Sequence, residues 1–115
     1  MIKRVIGQLG CVAALIVLGV TAEAHQLNVF ASTDCTTVLV EAKFSTGRRP
    51  ISGDVQFIDG EDKVLATGTL NDDGTLRVPW TDLDTSTGLL ITVSTGAHKD
   101  FWIMTPEDIA KKCQS

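Results

Sequence analysis

Two histidines are the residues of this sequence best suited to binding a metal ion. His25 directly follows Ala22-Glu23-Ala24, and His98 lies late in the chain, after Gly96-Ala97. A cut after Ala24 would free the α-amine of His25, whose ordinary pKa is close to ambient pH. The amine and the imidazole could then chelate one ion, and His98 could add a third nitrogen. Nitrogen ligands of these kinds suit nickel, cobalt, copper and zinc rather than calcium or magnesium.

The N-terminal segment has the three parts of a cleavable secretory signal. Lys3 and Arg4 give a basic start, an apolar run is densest over 11–20, and small residues end the segment at Ala22-Glu23-Ala24. Glycines and Gln8 interrupt the run, which leaves it short of the roughly 20 apolar residues that a membrane span needs. We therefore expect a signal peptide over 1–24, export across the inner membrane to the periplasm, and a mature domain over 25–115. The alternative is a retained N-terminal membrane anchor.

The charge of the mature part excludes one class of partner. Without residues 1–24 the chain keeps eight of its ten Lys and Arg and thirteen of its fourteen Asp and Glu, a net charge of −5. This sign argues against binding nucleic acid or an anionic membrane. The chain has no tyrosine and no Gly-rich phosphate loop, and its serines have no hydrolase-like histidine pattern. We therefore expect a protein that is not an enzyme. The acidic segments 59–62 and 71–74 are interpreted as solvated turns rather than calcium loops.

Two cysteines, Cys35 and Cys113, remain after removal of the signal peptide. An even pair of cysteines in a small domain outside the cytoplasm predicts a disulfide. The alternative is a metal site formed by the two thiolates. It is less favoured because isolated thiols oxidise in that compartment and the sequence has no C-x-x-C pair.

The hydrophobic pattern predicts an all-β fold. Val38, Val40, Ala42 and Phe44 alternate with polar residues, which is typical of a sheet with one solvated side. Thr105-Pro106-Glu107-Asp108 has the capping pattern of a helix that would run to about Lys112. We expect a single antiparallel seven-stranded β-sandwich of transthyretin or immunoglobulin type, with a short C-terminal helix. The predicted strands are 26–32, 36–44, 54–58, 63–70, 75–80, 89–95 and 98–104.

Three segments carry a resemblance to a known family. HQLNVFA over 25–31, VLVEAKFSTGR over 38–48, and GAHK over 96–99 with Trp102 resemble the NikL-type periplasmic accessory proteins of nickel and cobalt energy-coupling-factor transporters. The middle of the chain, 53–76, is similar to the carboxypeptidase-regulatory, transthyretin-like sandwich.

The resemblance implies a function in metal uptake. His25 and His98 would bind Ni²⁺ or Co²⁺, and the protein would pass the ion to the membrane permease complex of the transporter. A fourth ligand could be water, a backbone nitrogen near Gln26 or a residue of the partner. Asp100 could orient His98.

Two other classes of function stay open from the residues alone. One is a copper protein with a histidine brace at His25, either a Cu²⁺ carrier or an oxidative polysaccharide-cleaving enzyme. The other is a metal-free β-sandwich that acts as an interaction module. Tight Cu²⁺ binding alone would not identify the native metal, because copper binds such sites most strongly in any case.

Overall fold

Residues 26–113, which a computed structural model describes, form seven strands and one α-helix. The predicted signal peptide, its cleavage site and His25 lie outside the described residues. No helix among the described residues is long and apolar enough to cross a membrane. A 3₁₀ turn covers Trp80–Asp82, so Trp80 is not part of the strand predicted over 75–80. The elements are β1 Leu27–Thr33, β2 Thr37–Phe44, β3 Asp54–Ile58, β4 Val64–Thr69, β5 Thr75–Pro79, β6 Leu89–Thr95, β7 His98–Met104 and α1 Pro106–Cys113.

The strands form two antiparallel sheets, which confirms the predicted sandwich. One sheet has the order β1-β2-β5 and the other has the order β4-β3-β6-β7. Within residues 26–113, every hydrogen-bonded strand pair is antiparallel. Strands β1 and β7 are therefore edge strands, each in its own sheet.

The core follows the period-two alternation of the strands. On β2, Val38, Val40 and Ala42 are fully buried, while Lys43 is exposed. Burying such side chains supplies most of the favourable free energy of folding, about 1.5–3 kcal/mol for each large aliphatic or aromatic group. The buried apolar side chains of the described residues are Leu27, Val29, Ala31, Val38, Val40, Ala42, Val55, Phe57, Leu70, Leu83, Leu89, Ile91, Val93 and Met104.

The two sheets meet where β1 lies beside β7. The Val29 N–H donates a hydrogen bond of 2.8 Å to Asp100 Oδ2. Further along both strands, the rings of Phe30 and Trp102 pack edge to face with centroids 4.8 Å apart. The contact partner on β7 moves from Asp100 to Trp102 as β1 goes from Val29 to Phe30, so the two strands run in the same direction. The start of β1 therefore lies beside the start of β7.

A disulfide joins Cys35 to Cys113, as the sequence predicted, and ties the loop after β1 to the end of α1. The two residues are 78 positions apart, and their Cα atoms are 5.5 Å apart. Closing a loop of this length stabilises the fold by about 4 kcal/mol on the chain-entropy estimate. At the other end of α1, Thr105 Oγ1 accepts a hydrogen bond of 3.1 Å from the Asp108 N–H. This is the N-cap that the sequence indicated.

Candidate metal centre

His98 is the first residue of β7, and a tight turn places it there. Thr95 and His98 are partners across the β6–β7 hairpin, with Gly96 and Ala97 between them. Gly96 has a φ of +59°, which a type II′ turn requires at its first central position and which glycine adopts at little cost. Strand alternation then directs His98, Asp100 and Trp102 toward the β1 side, where each is half-buried, while Lys99 between them is exposed.

The imidazole of His98 packs against the end of β2. Its ring centroid lies 5.2 Å from that of Phe44, with an interplanar angle of 75°. Such an edge-to-face contact is a favourable aromatic arrangement. It holds the histidine at one end of the sandwich without enclosing it fully.

The start of β1 is fixed at the same end of the sandwich. The Ser45 N–H donates a bond of 2.7 Å to the Gln26 carbonyl oxygen. The Gln26 N–H donates in return to Ser45 Oγ, at 3.3 Å. Ser45 directly follows Phe44, so Gln26 and His98 are both anchored at the end of β2.

Asp100 has a different role from the one predicted. Among the described residues, its carboxylate accepts from the backbone of Val29 rather than from the His98 imidazole. Because β1 is an edge strand, its outward N–H groups have no strand partner. Asp100 supplies the acceptor that Val29 would otherwise lack.

Residues 26–113 contain no group of three or more His, Cys, Asp or Glu side chains that could hold a metal ion. The two cysteines are joined in the disulfide and cannot serve as thiolate ligands. Within this part of the chain, His98 is the predicted metal ligand that the structure describes. A three-nitrogen site therefore needs the α-amine and an imidazole nitrogen of His25, which lies outside the described residues.

The loop after β2 places two arginines next to this end of the sandwich. The Phe44 N–H donates to the Arg48 carbonyl oxygen at 2.8 Å, which fixes the loop against the strand end. Arg49 Nη1 donates to the Asp73 carbonyl oxygen at 3.4 Å. In the sequence these arginines lie between the predicted strands 36–44 and 54–58 and had no role assigned. The adjacent basic pair was the available signal, but its position relative to His98 depends on the fold.

The acidic turns use their carboxylates for internal hydrogen bonds. Asp73 Oδ1 accepts from the Thr75 hydroxyl at 2.6 Å, and this bond lowers the pKa of Asp73. In the loop after β1, Asp34 Oδ1 accepts from the Thr36 hydroxyl at 2.7 Å and from the backbone of Thr36 and Thr37. These bonds, led by that of the Thr36 hydroxyl, hold the pKa of Asp34 well below its usual range because they favour the ionised form.

No protein-family model matches this chain, and no curated protein sequence does either. Part of the chain is similar in structure to β-glucuronidase from Ruminococcus gnavus. The complex of that enzyme with D-glucaro-d-lactam matches 70% of this chain and 15% of the enzyme, with 16% identity and a TM-score of 0.38. Its complex with D-glucuronic acid covers the same shares with 18% identity and a TM-score of 0.38.

The prediction that this protein is not an enzyme is contradicted by these neighbours, which are enzymes, and we withdraw it. At 16–18% identity the similarity concerns the fold alone. This chain spans about 15% of the glucuronidase, so neither the substrate nor the catalytic residues of that enzyme are transferred to it.

Proposed function

We propose that this protein is a periplasmic metal-binding component of nickel or cobalt uptake. It captures the ion with the amine and imidazole of His25 together with His98, and it passes the ion to the membrane permease complex of an energy-coupling-factor transporter. The observation that carries the proposal is the position of His98 beside the start of β1. The receiving partner and the choice of nickel or cobalt rest on the resemblance of the sequence motifs.

The anchoring of Gln26 supports the pairing of the two histidines. His25 directly precedes Gln26 in the sequence. Gln26 is bonded to Ser45, and the neighbouring Phe44 contacts the His98 ring. Gln26 and His98 are thus anchored at adjacent points at the end of β2.

The exposure of the site suits capture and release rather than permanent storage. His98 is half-buried at the end of a hairpin, and the adjacent turn residues Gly96 and Ala97 are exposed. A partner can approach an ion held there without unfolding the sandwich. Three nitrogen donors also leave coordination positions open, which a ligand of the receiving protein can occupy during transfer.

The decisive experiment combines N-terminal sequencing of the exported protein with calorimetric titration of Ni²⁺, Co²⁺ and Cu²⁺. We expect a mature chain that begins at His25 and binds one Ni²⁺ or Co²⁺ per molecule. His25→Ala and His98→Ala should each weaken binding by at least tenfold. One extra glycine before His25 should have a similar effect, because it converts the amine into an amide.

Lys99→Ala is the matched control, since this exposed residue adjoins His98 on the opposite face of β7. It should bind the ion like the wild type. A mature chain that begins elsewhere than His25 would exclude the chelate. Stoichiometric binding of Cu²⁺ alone would favour the copper carrier, and no stoichiometric binding would favour the metal-free interaction module.

A further inference from the structure

A concavity of about 260 Å³ lies where β1, β7 and α1 meet. Its volume is below the roughly 300–1,000 Å³ of pockets for drug-sized ligands, which suits a small molecule. The hydrogen bond accepted by Asp100 fixes β7 against β1, and the disulfide between Cys35 and Cys113 ties α1 to the loop after β1. The three walls are therefore held in place before a ligand binds, which lowers the entropic cost of binding.

Two aromatic rings form part of the wall of this concavity. Phe30 on β1 and Trp102 on β7 both line it, and their planes meet at 70° with centroids 4.8 Å apart. We call this pair the aromatic corner. Phe30 is 48% exposed, so much of its surface is accessible to a ligand. A cation within about 6 Å of a ring centroid is attracted by the face of the ring. Because the two centroids lie closer together than that, one cation can lie within this distance of both rings.

A carboxylate adds the charge that complements a cation. Asp108 of α1 lines the concavity. Its Oδ2 accepts a bond of 3.4 Å from the Thr105 N–H, while Thr105 Oγ1 accepts from the Asp108 N–H at 3.1 Å. These reciprocal bonds act as a capping box and hold the carboxylate in the first turn of the helix. Within residues 26–113, no hydrogen bond or ion pair occupies its other oxygen. The formal net charge of the chain, −4, also favours cations over anions.

The other polar lining residues are compatible with a cation. Lys112 lies one helical turn beyond Asp108 and is exposed. A lysine in the last turn is favoured by the helix dipole, and its long side chain keeps the charge in water. Thr33 Oγ1 donates to the Thr37 carbonyl oxygen at 2.7 Å and accepts from the Cys35 N–H at 2.9 Å. The Thr33 hydroxyl therefore serves the loop after β1.

The rest of the wall is apolar, which selects among cations. Ile103, Met104 and Ile109 line the concavity together with the aromatic corner. An inorganic cation or a primary ammonium group is strongly hydrated, and it loses free energy when apolar side chains replace its water. A quaternary ammonium group carries its charge beneath methyl groups, which can contact both apolar side chains and ring faces.

We propose that this concavity binds a small, soluble quaternary ammonium compound. The cation lies against the aromatic corner and near the carboxylate of Asp108, and no covalent bond is made or broken. His98 does not line the concavity. The site therefore shares no residue with the proposed metal centre, and either proposal can fail without the other.

The test measures binding of choline to the exported protein by isothermal titration calorimetry. The comparison ligand is the neutral alcohol in which carbon replaces the nitrogen of choline. We expect one choline to bind per molecule, and the neutral alcohol to bind at least about tenfold more weakly. Trp102→Leu and Phe30→Leu keep an apolar side chain but remove a ring, so each should weaken choline binding at least about threefold. Asp108→Asn keeps an acceptor for the helix cap but removes the charge, and it should have a similar effect.

Phe101→Leu and Glu107→Gln are the matched controls, since both residues are exposed and neither lines the concavity. They should bind choline like the wild type, and thermal unfolding checks that every variant is folded. The inference is overturned if choline does not bind, if the neutral alcohol binds equally well, or if Phe30→Leu and Asp108→Asn both bind choline normally. Co-sedimentation of the protein with phosphatidylcholine vesicles, competed by choline, would overturn the assignment to a soluble compound in favour of a lipid headgroup.

Discussion

The hydrogen bond between Asp100 and Val29 joins the edges of the two sheets, and we predict that Asp100→Ala destabilises the domain. The bond is 2.8 Å long and connects residues 71 positions apart. A hydrogen bond to a charged group contributes about 1.5–3 kcal/mol. We take the lower end because the bond is only partly buried. The substitution also leaves the N–H of Val29, a core residue, without its acceptor.

The predicted loss is therefore about 1.5 kcal/mol in the free energy of unfolding. For a domain of this size, urea unfolding has a slope of roughly 1 kcal/mol per molar, so the midpoint should fall by about 1.5 M. Amide hydrogen exchange gives a local measurement. The Val29 amide should exchange about tenfold faster or more in Asp100→Ala, since 1.4 kcal/mol corresponds to a factor of ten.

Two further variants make this test specific. Asp100→Asn keeps an acceptor oxygen but removes the charge, so its loss should be intermediate. Lys99→Ala changes the exposed neighbour on β7 and should shift the free energy of unfolding by no more than about 0.5 kcal/mol. If Asp100→Ala behaved like Lys99→Ala in both measurements, the bond would not hold β1 against β7 and our reasoning would be refuted.

Three other outcomes follow from the fold. Replacing both Cys35 and Cys113 by serine should lower the free energy of unfolding by about 4 kcal/mol in urea titration, and an unchanged midpoint would contradict this role. Phe57→Ala empties a fully buried position and should cost about 3–5 kcal/mol in the same assay, whereas Phe101→Ala, at a position 55% exposed, should cost much less. Because its pKa is lowered in the fold, Asp34 stabilises the protein above its usual pKa of 3.8, and this contribution is lost as the pH falls below that value. Asp34→Asn should therefore flatten the fall of thermal stability between pH 4 and pH 2, and an equally steep fall would contradict the assignment.

Most of the secondary structure could be predicted from local patterns. β3, β6 and β7 have the predicted bounds, and the other strands differ by one residue at one or both ends. One of these ends is Trp80, which was predicted in a strand but begins a 3₁₀ turn after Pro79. Alternation of side chains specifies a strand, but it does not specify where pairing with a neighbour ends. Proline at the strand end cannot donate to a sheet, which favours termination there.

The candidate site was less accessible to prediction. His25 and His98 were identified by residue type and position, but the packing of His98 against Phe44 was not indicated by either. Asp100 was expected to orient His98, whereas its carboxylate accepts from the Val29 N–H. In each of these cases the missing information is a contact between β1 or β2 and distant parts of the chain, which strand periodicity does not contain.

The sequence by itself determined the strand pattern, the helix cap and the residues able to form a disulfide or bind a metal. These depend on side-chain chemistry and on neighbours a few positions away. The tertiary structure decided that β1 lies beside β7, that Asp100 bonds to Val29, and that His98 packs against Phe44. Such contacts form when two sheets bury their apolar faces against each other, because packing selects which edges meet.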